Sequence, residues 1–255
     1  NPPFMTPKGG IRPHNRFSVK ANRAEVLFVD YIKEHLSRNG RAGIIVPEGI
    51  IFQSANAYKD LSKLLIEDGL FAVVSLPSGV FNPYSGVKTS ILFFDNSIAG
   101  KIDYLLFAKV SHDGYDLGAQ RRVDYDNNDL PEVKNTLIAF REYATSGCKE
   151  SENIYLKQLK EYIDNQENKD SLFGSYCDKY TLIKKKTIID NNYNLSADIY
   201  KEGKKYTNSK WDIVELGELE SKGYIEFLRG QGISKKDIIP DGKYKCIHYG
   251  EIYTL

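Results

Sequence analysis

Two short apolar segments constrain the fold of this 255-residue chain more than any other feature. Residues 42–47 form a continuously apolar run bounded by glycine and proline, and residues 71–76, which Pro77 closes, are apolar except for Ser75. Such runs are typical of strands buried in a parallel sheet. Residues 24–36 and 58–65 carry apolar side chains at intervals of three and four, which predicts amphipathic helices. This alternation predicts an α/β domain with a mostly parallel sheet, in which ligands bind at the carboxyl ends of the strands.

Three loops follow such strand ends, namely residues 1–4, 47–56 and 77–86. We expect them to lie on one rim of the sheet and to form one pocket. The remaining predicted elements are strands at 89–94 and 102–110, a polar loop at 111–122, helices at 131–143 and 155–163, and a hydrophilic linker at 201–210.

The net charge of +1 excludes a chain that binds DNA through its overall charge. A local cluster of five Lys and Arg residues lies in residues 5–23, which we expect to be a mobile basic loop, either a solvated connector or a flap over a polyanion. Cys148, Cys177 and Cys246 are too far apart for a zinc site and odd in number, which favours a reducing cytoplasm over a disulfide framework. No apolar stretch is long enough to cross a bilayer.

The chain opens with the unusual segment Asn1-Pro2-Pro3-Phe4. Each proline fixes its φ angle and lacks an N–H donor, so the segment is stiff and its carbonyl groups only accept hydrogen bonds. The Asn1 side chain adds another acceptor, and Phe4 adds a flat apolar face. Such a segment suits an exocyclic amino group on an aromatic ring, such as an adenine taken out of a DNA stack. The same residues are also ordinary turn signals.

Several motifs in this order resemble one family. Asn1-Pro2-Pro3-Phe4 is similar to the catalytic motif of amino-group DNA methyltransferases. Residues 40–49 (GRAGIIVPEG), 75–94 (SLPSGVFNPYSGVKTSILFF) and 192–196 (NYNLS) resemble the modification subunits of type I restriction systems. The resemblance covers roughly residues 1–200. The tail from residue 211 resembles the start of a target-recognition domain, an arrangement similar to fused type IIG enzymes.

The resemblance implies N6-adenine methylation of double-stranded DNA with S-adenosylmethionine as the cofactor. Asn1 and the Pro2 carbonyl would accept hydrogen bonds from the adenine amino group, and Phe4 would stack on the flipped base. Phe81 or Tyr84 would close the other side of the pocket, and Lys88 would approach the base edge or a phosphate. The implied partners are restriction or specificity subunits, or a fused nuclease domain.

The same resemblance implies three parts. Residues 1–125 would be the C-terminal half of a Rossmann-like methyltransferase domain, residues 126–205 a helical spacer, and residues 206–255 the beginning of a specificity domain. The family's glycine-rich cofactor turn is not found in the chain, and residues 114–118 are no substitute. We therefore expect a fragment that is inactive alone and binds the cofactor weakly or not at all.

Other functions stay open. Asn-Pro-Pro-aromatic motifs also serve methyltransferases that act on RNA or on a protein amide, and a non-catalytic DNA-recognition or assembly module would not need the cofactor turn. We expect no metal site, because the histidines His14, His35, His112 and His248 are scattered. Glu48 follows Pro47 and is interpreted either as a residue of the active rim or as the start of a helix.

Overall fold

The computed structural model describes residues 1–6, 13–53, 55–146, 179–200 and 214–226. The chain divides into two compact units, residues 1–201 and 202–255. The described elements of the first unit are, in order, α1 (Ala24–His35), β1 (Arg41–Pro47), α2 (Gly49–Phe52), α3 (Asn56–Glu67), β2 (Leu70–Ser75), β3 (Thr89–Asp95), β4 (Tyr104–Lys109), β5 (Asp113–Tyr115), β6 (Val123–Asn128), α4 (Leu130–Ser146), β7 (Tyr180–Lys184) and α5 (Lys185–Asp190), with 3₁₀ turns at Asn96–Ile98 and Ala197–Tyr200. The described residues of the second unit hold α6 (Leu216–Ser221).

Five strands of the first unit form one sheet in the order β1-β3-β2-β4-β7. Strand β3 pairs antiparallel with both β1 and β2, β4 is parallel to β2, and β7 is antiparallel to β4. Strands β1, β2 and β4 therefore run in one direction, as expected for a mostly parallel sheet. Most of the pairings are nevertheless antiparallel, because β3 is inserted between two strands that the sequence pattern alone would place side by side.

Helices cover both faces of this sheet. On the first face, α1 and α3 bury Val26, Val29, Leu61 and Leu65 against strand residues of alternating position, which include Ile44, Val46, Val73 and Leu92. On the second face, α4 buries Val133, Phe140 and Ala144 against Val74, Leu106 and Ala108. The period of two along the strands thus separates adjacent residues into two cores, one on each side of the sheet.

Helix α4 leaves part of the second face open. A groove of about 790 Å³ runs between α4 and the strands β1 and β3. Its wall is mostly apolar and is lined, among others, by Ala42, Phe71, Ile91, Phe93, Leu130, Leu137 and Ile138, with Arg41, Lys134 and Arg141 among its charged residues. The sheet is thus fully covered over β4 and only partly covered over β1 and β3.

An ion pair between a partly exposed arginine of α4 and a buried carboxylate joins this helix to the end of β3. The Asp95 side chain is fully buried and accepts a hydrogen bond from Arg141 Nε at 2.5 Å, while its other oxygen accepts from the Ser97 amide at 2.8 Å. Burial alone raises the pKa of Asp95, but the hydrogen bonds from Ser97 and Arg141 and the positive charge of Arg141 outweigh it, so this pKa lies below its usual value of 3.8.

The segment before α1 is more firmly held than the expected mobile loop. Residues 7–12 lie outside the described part, but Val19 is buried and its amide donates to Asp30 at 3.0 Å. Arg16 pairs with Glu34 at 3.1 Å. The expectation of a mobile loop is therefore wrong for residues 13–23, because a buried side chain and two contacts to α1 hold them.

The expected polar loop at 111–122 is also partly wrong. Strands β5 and β6 form a two-stranded ribbon, in which Tyr115 pairs with Val123. Arg121 forms an ion pair with the buried Asp113, and its guanidinium lies 5.2 Å from the centre of the Tyr115 ring. The sequence pattern does not predict the ribbon, because most residues of its strands are exposed and show no apolar alternation.

Residues expected to form a helical spacer contribute to the first unit. The expected boundary after residue 125 falls within β6, and β7 adds a strand to the main sheet. The expected helix at 155–163, the linker at 201–210 and the three cysteines lie outside the described residues. No helix in the described part of the chain is both long and apolar enough to span a membrane.

We predict that Asp95→Asn lowers the free energy of unfolding by about 2 kcal/mol at neutral pH, because Arg141 loses a buried, charged acceptor. Because the folded pKa of Asp95 lies below 3.8, its stabilising contribution is present above that pH and is lost as the pH falls through the folded value. Urea denaturation at pH 7 and near pH 3 measures both effects. An equal difference between the two proteins at both pH values would contradict this assignment.

Candidate active site

The carboxyl ends of β1, β2 and β4 define one edge of the sheet, which we call the carboxyl edge. Strand β3 begins at this edge because it runs the opposite way. The loops that follow β1 and β2 therefore meet here, as the sequence predicts. Helix α1 packs along β1, and a short connection joins its C-terminus to the start of β1, so its first residue, Ala24, faces the carboxyl edge. The Ala24 amide donates to the Met5 carbonyl at 2.9 Å, which brings the chain after Phe4 to the same edge.

The Asn-Pro-Pro-Phe segment alternates between buried and exposed residues. Pro2 is buried, Asn1 and Pro3 are exposed, and Phe4 is half-buried. Pro2 thus packs into the protein and holds a segment whose φ angles are already fixed at two positions. The Asn1 side chain is left accessible to a ligand. Among the described residues, no hydrogen bond joins residues 1–4 to the loop after β2.

Residues 76–88 form the loop between β2 and β3, which we call the β2–β3 loop. It is closed at its base, where the Leu76 amide donates to the Thr89 carbonyl at 3.0 Å. Its tip is tied to the β5–β6 ribbon, because the Asn82 side-chain amide donates to the Leu117 carbonyl at 2.8 Å. Phe81 is half-buried, whereas Tyr84 is 95% exposed. Phe81 therefore belongs to the fixed wall of the loop, and Tyr84 projects into solvent.

Gly79 is needed where the loop meets the ribbon. Its φ angle is +89°, a conformation that residues with a Cβ atom rarely adopt. A Cβ atom there would lie 2.9 Å from Asn82 Nδ2 and 3.0 Å from the Leu117 carbonyl oxygen. Both atoms belong to the hydrogen bond that fixes the loop tip. The close approach of loop and ribbon thus depends on glycine.

Lys88 ends the β2–β3 loop and is paired with Glu48, the first residue after β1. The Lys88 Nζ and Glu48 Oε1 atoms lie 2.6 Å apart, and the Glu48 amide donates to the Lys88 carbonyl at 3.0 Å. Glu48 does precede helix α2, but its side chain makes no capping hydrogen bond. Both interpretations of Glu48 agree with its position, because it precedes helix α2 and lies at the carboxyl edge. Its side chain contacts Lys88 and does not cap the helix.

A small crevice of about 70 Å³ lies beside this pair on the first face of the sheet. Its lining includes Ser75, Ser90 and Lys109 from the strands and residues 195–198 from the segment after α5. That segment is anchored by the buried Leu195, whose amide donates to the Ile51 carbonyl at 3.1 Å. The segment 195–198, which overlaps one of the motifs that carry the resemblance, therefore forms a wall at the carboxyl edge.

Tyr200 is hydrogen-bonded to Asn194, the residue that precedes this segment. Its hydroxyl donates to the Asn194 carbonyl at 2.6 Å, and its ring lies against Phe107 with the two centres 6.3 Å apart. Burial raises the pKa of Tyr200 to about 12. The phenol therefore stays protonated and acts as a permanent hydrogen-bond donor at neutral pH.

A charged cluster joins the residues before β5, the start of α4 and the residue before β7. Asp129 accepts hydrogen bonds from the amides of Ser111 and His112, at 2.8 and 2.9 Å, and from Lys179 at 3.0 Å. Lys179 also reaches Glu132 at 2.5 Å. Burial alone raises the pKa of Asp129 and lowers that of Lys179, but the hydrogen bonds and opposite charges reverse both shifts. The lowered pKa of Asp129 and the raised pKa of Lys179 favour the charged forms of both groups, and the cluster ties the start of α4 to the residue before β7.

The glycine-rich turn that the resemblance requires is not in the chain, and Gly114 serves another purpose. Its φ angle is +85°, and a Cβ atom there would lie 3.0 Å from the Asn128 side chain across the ribbon. The described residues also contain no group of three or more His, Cys, Asp or Glu side chains that could hold a metal ion.

Comparison with known proteins places the chain in a family. The sequence pattern of the N-6 DNA methylase family matches residues 1–209. The chain belongs to this family. The resemblance inferred from its motifs is thereby confirmed.

One relative is the methylase subunit of the type I restriction enzyme EcoEI from Escherichia coli. It is 42% identical to this chain over 96 residues, which are 37% of this chain and 19% of the subunit. The EcoKI methylase subunit of E. coli strain K12 is 31% identical over 94 residues, 37% of this chain and 17% of that subunit. The chain thus matches about a fifth of the length of these relatives.

Solved structures confirm the α/β fold. The crystal structure of the EcoKI M protein superposes with a TM-score of 0.51 at 20% identity, covering 76% of this chain and 41% of that one. A structure from a study of complex assembly and conformational transition in a type I restriction–modification system gives a TM-score of 0.52 at 23% identity, covering 88% and 41%.

Several residues that shape this site escape sequence reasoning. Asn82 and Leu117 meet although 35 positions apart, and Glu48 and Lys88 although 40 apart. The sequence signal for Gly79 is its place in a Pro-Ser-Gly turn, which indicates a bend but not its close contact with the ribbon. The signal for Glu48 is its place after a buried strand. The roles of Asn1, Pro2, Pro3, Phe4, Phe81, Tyr84 and Lys88 stay predictions.

We predict that Gly79→Ala lowers the free energy of unfolding by about 1–2 kcal/mol more than Gly100→Ala. Both glycines have positive φ angles, but a Cβ atom at Gly100 would meet no atom within 4 Å. The control therefore carries the backbone strain without the clash at the Asn82–Leu117 contact. Urea denaturation measures the difference, and equal losses in the two variants would contradict the proposed contact.

Proposed function

We propose that this protein is a site-specific DNA methyltransferase that modifies the N6 amino group of adenine as the modification part of a restriction–modification system. The observation that carries the proposal is the Asn-Pro-Pro-Phe segment leading to the same sheet edge as the anchored β2–β3 loop, in a chain of the N-6 DNA methylase family. The proposed substrate is double-stranded DNA from which one adenine is flipped, and the proposed location is the cytoplasm.

The proposed mechanism on this side of the site is positioning. Asn1 Oδ1 and the Pro2 carbonyl accept hydrogen bonds from the adenine amino group, so its nitrogen lone pair is fixed in direction. Pro2 supports this geometry because it is buried and has a fixed φ angle. Phe4 stacks on the flipped base, a contact worth about 1–3 kcal/mol. No side chain needs to take up a proton before transfer, since hydrogen bonding alone aims the lone pair.

The β2–β3 loop supplies the opposite wall of the proposed pocket. Phe81 is half-buried in an anchored loop and is suited to a second ring contact. Tyr84 is exposed and is suited to contact DNA outside the pocket, for example at the space that the flipped base leaves. Lys88 is paired with Glu48, so a role at the base edge or at a phosphate requires that this pair opens.

In the family, S-adenosylmethionine supplies the methyl group. Because the glycine-rich turn that the resemblance requires is not found in the chain, we place cofactor binding outside the surface described here. We further propose that the protein assembles with specificity or restriction subunits. The EcoEI and EcoKI relatives are subunits of type I restriction enzymes, which supports this assembly.

We predict that Asn1→Ala lowers methyl transfer to DNA at least about 100-fold, because the amino group loses its side-chain acceptor. The protein is produced from its full reading frame, since the chain matches about a fifth of its curated relatives. Unmethylated genomic DNA is incubated with S-adenosylmethionine, and N6-methyladenine is quantified by mass spectrometry after digestion. The control is Asn39→Ala, an exposed asparagine before β1.

Other outcomes of this assay would replace the proposal. Methylation of RNA or of a protein amide, with no N6-methyladenine in DNA, would assign the motif to a different substrate. Binding to DNA without any methyl transfer would favour a recognition or assembly module. Equal activity of Asn1→Ala and Asn39→Ala would remove Asn1 from the mechanism.

We also predict that residues 1–255 alone show no heat of binding with S-adenosylmethionine in isothermal titration calorimetry. The physical reason is that a cofactor of this kind needs backbone amides from a glycine-rich turn, and the described glycines of the ribbon are committed elsewhere. A dissociation constant in the micromolar range would show that the chain holds a cofactor site after all.

A further inference from the structure

We propose that Glu48 is a positioning residue that acts through Lys88 to hold the β2–β3 loop in the shape that receives the target base. The inference rests on the proposed function, and it assigns a role to a residue that does not itself touch the base. It also gives Lys88 a structural role in place of a contact to DNA.

The geometry of the pair is that of a clamp. One hydrogen bond joins the main chains, from the Glu48 amide to the Lys88 carbonyl at 3.0 Å, and a second contact joins the side chains at 2.6 Å. The Glu48 and Lys88 side chains are 28% and 40% exposed, so the pair is partly shielded from water. Partial burial strengthens a charge-assisted contact relative to a fully exposed one.

The position of the pair explains why a clamp is needed there. Strands β1 and β2 do not pair with each other, because β3 lies between them. The β2–β3 loop therefore has to turn back into the sheet at the start of β3, one residue after Lys88. Glu48 stands at the end of β1, on the far side of β3 from β2. The clamp thus links the end of the loop to β1, a strand that does not pair with the strand where the loop begins.

Within the described part of the chain, no other side-chain contact joins the end of the β2–β3 loop to the sheet. The hydroxyl groups of Thr89 and Ser90, the first two residues of β3, are buried and have no hydrogen-bond partner there. The Asn82–Leu117 contact fixes the tip of the loop but not its end. The Glu48–Lys88 pair is therefore the side-chain contact that fixes the end of the loop to the sheet.

The clamp acts on the proposed pocket through Phe81. This residue lies one position before the ribbon contact of Asn82, and its carbonyl accepts from the Tyr84 and Ser85 amides at 2.9 and 3.0 Å. Those two residues belong to the stretch between the ribbon contact and the clamp at Lys88. Its half-buried ring belongs to the proposed wall of the adenine pocket. A wall held at both ends needs less ordering when the base arrives, which favours the reactive geometry over ground-state binding.

The test compares Glu48→Gln with Asp68→Asn. Asp68 pairs with Lys33 at 3.3 Å near the start of β2, at the opposite edge of the sheet, and so is a matched control. In the protein from the full reading frame, we expect Glu48→Gln to lower kcat for DNA methylation about tenfold while the Kd for DNA changes less than about threefold. The control should leave both within about twofold of the parent protein.

Exchanging the two charges tests the pair itself. The double variant Glu48→Lys with Lys88→Glu should recover kcat to within about threefold of the parent protein, whereas each single reversal should not. If Lys88 instead contacts a DNA phosphate, Lys88→Met will weaken DNA binding, and the exchanged pair will not recover activity. Either result would overturn the proposal.

A second readout does not depend on activity. Hydrogen exchange of residues 1–255 should show the amides of residues 77–88 exchanging about tenfold faster in Glu48→Gln than in Asp68→Asn. Equal exchange in the two variants would overturn the clamp even if the parent protein methylates DNA. If the parent protein makes no N6-methyladenine, the proposed function fails, and the exchange rates still report on the clamp.

Discussion

The structure depends on the insertion of β3 between β1 and β2. Strand β3 hydrogen-bonds to a strand on each side, and its residues Leu92 and Phe94 are buried in the core of the first face. Its antiparallel direction brings its first residue to the edge where β1 and β2 end. The loop between β2 and β3 is consequently forced onto the same edge as the loop after β1. The chemistry proposed for this edge follows from that one choice of strand direction.

Around this strand, the protein fixes its loops by contacts between distant parts of the chain. The ribbon holds the tip of the β2–β3 loop, and Glu48 holds its end. The segment after α5 is held by Leu195 and by the phenol of Tyr200, and the start of α4 is held by the charged cluster around Lys179. Each of these contacts restrains a segment that the hydrogen bonds of the helices and of the main sheet do not reach.

The sequence alone predicts those parts of the fold in which burial is periodic. Helices α1 and α3 and strands β1 and β2 follow from the spacing of apolar residues, to within a few positions at their ends. Strand direction leaves no mark in such spacing, so the antiparallel pairing of β3 could not be derived from periodicity. The ribbon was missed because exposed strands carry no apolar alternation. The Glu48–Lys88 pair was missed because charge alone does not identify a partner 40 residues away.

The open groove beside α4 has a thermodynamic consequence. Its walls expose apolar side chains of β1, β3 and α4 to water over a space of about 790 Å³. Exposure of an apolar surface to water raises the heat capacity of the system, and covering that surface lowers it again. Any polypeptide that fills the groove would therefore bind with a negative change in heat capacity. Its enthalpy of association would become more favourable on warming, while its entropy would become less so.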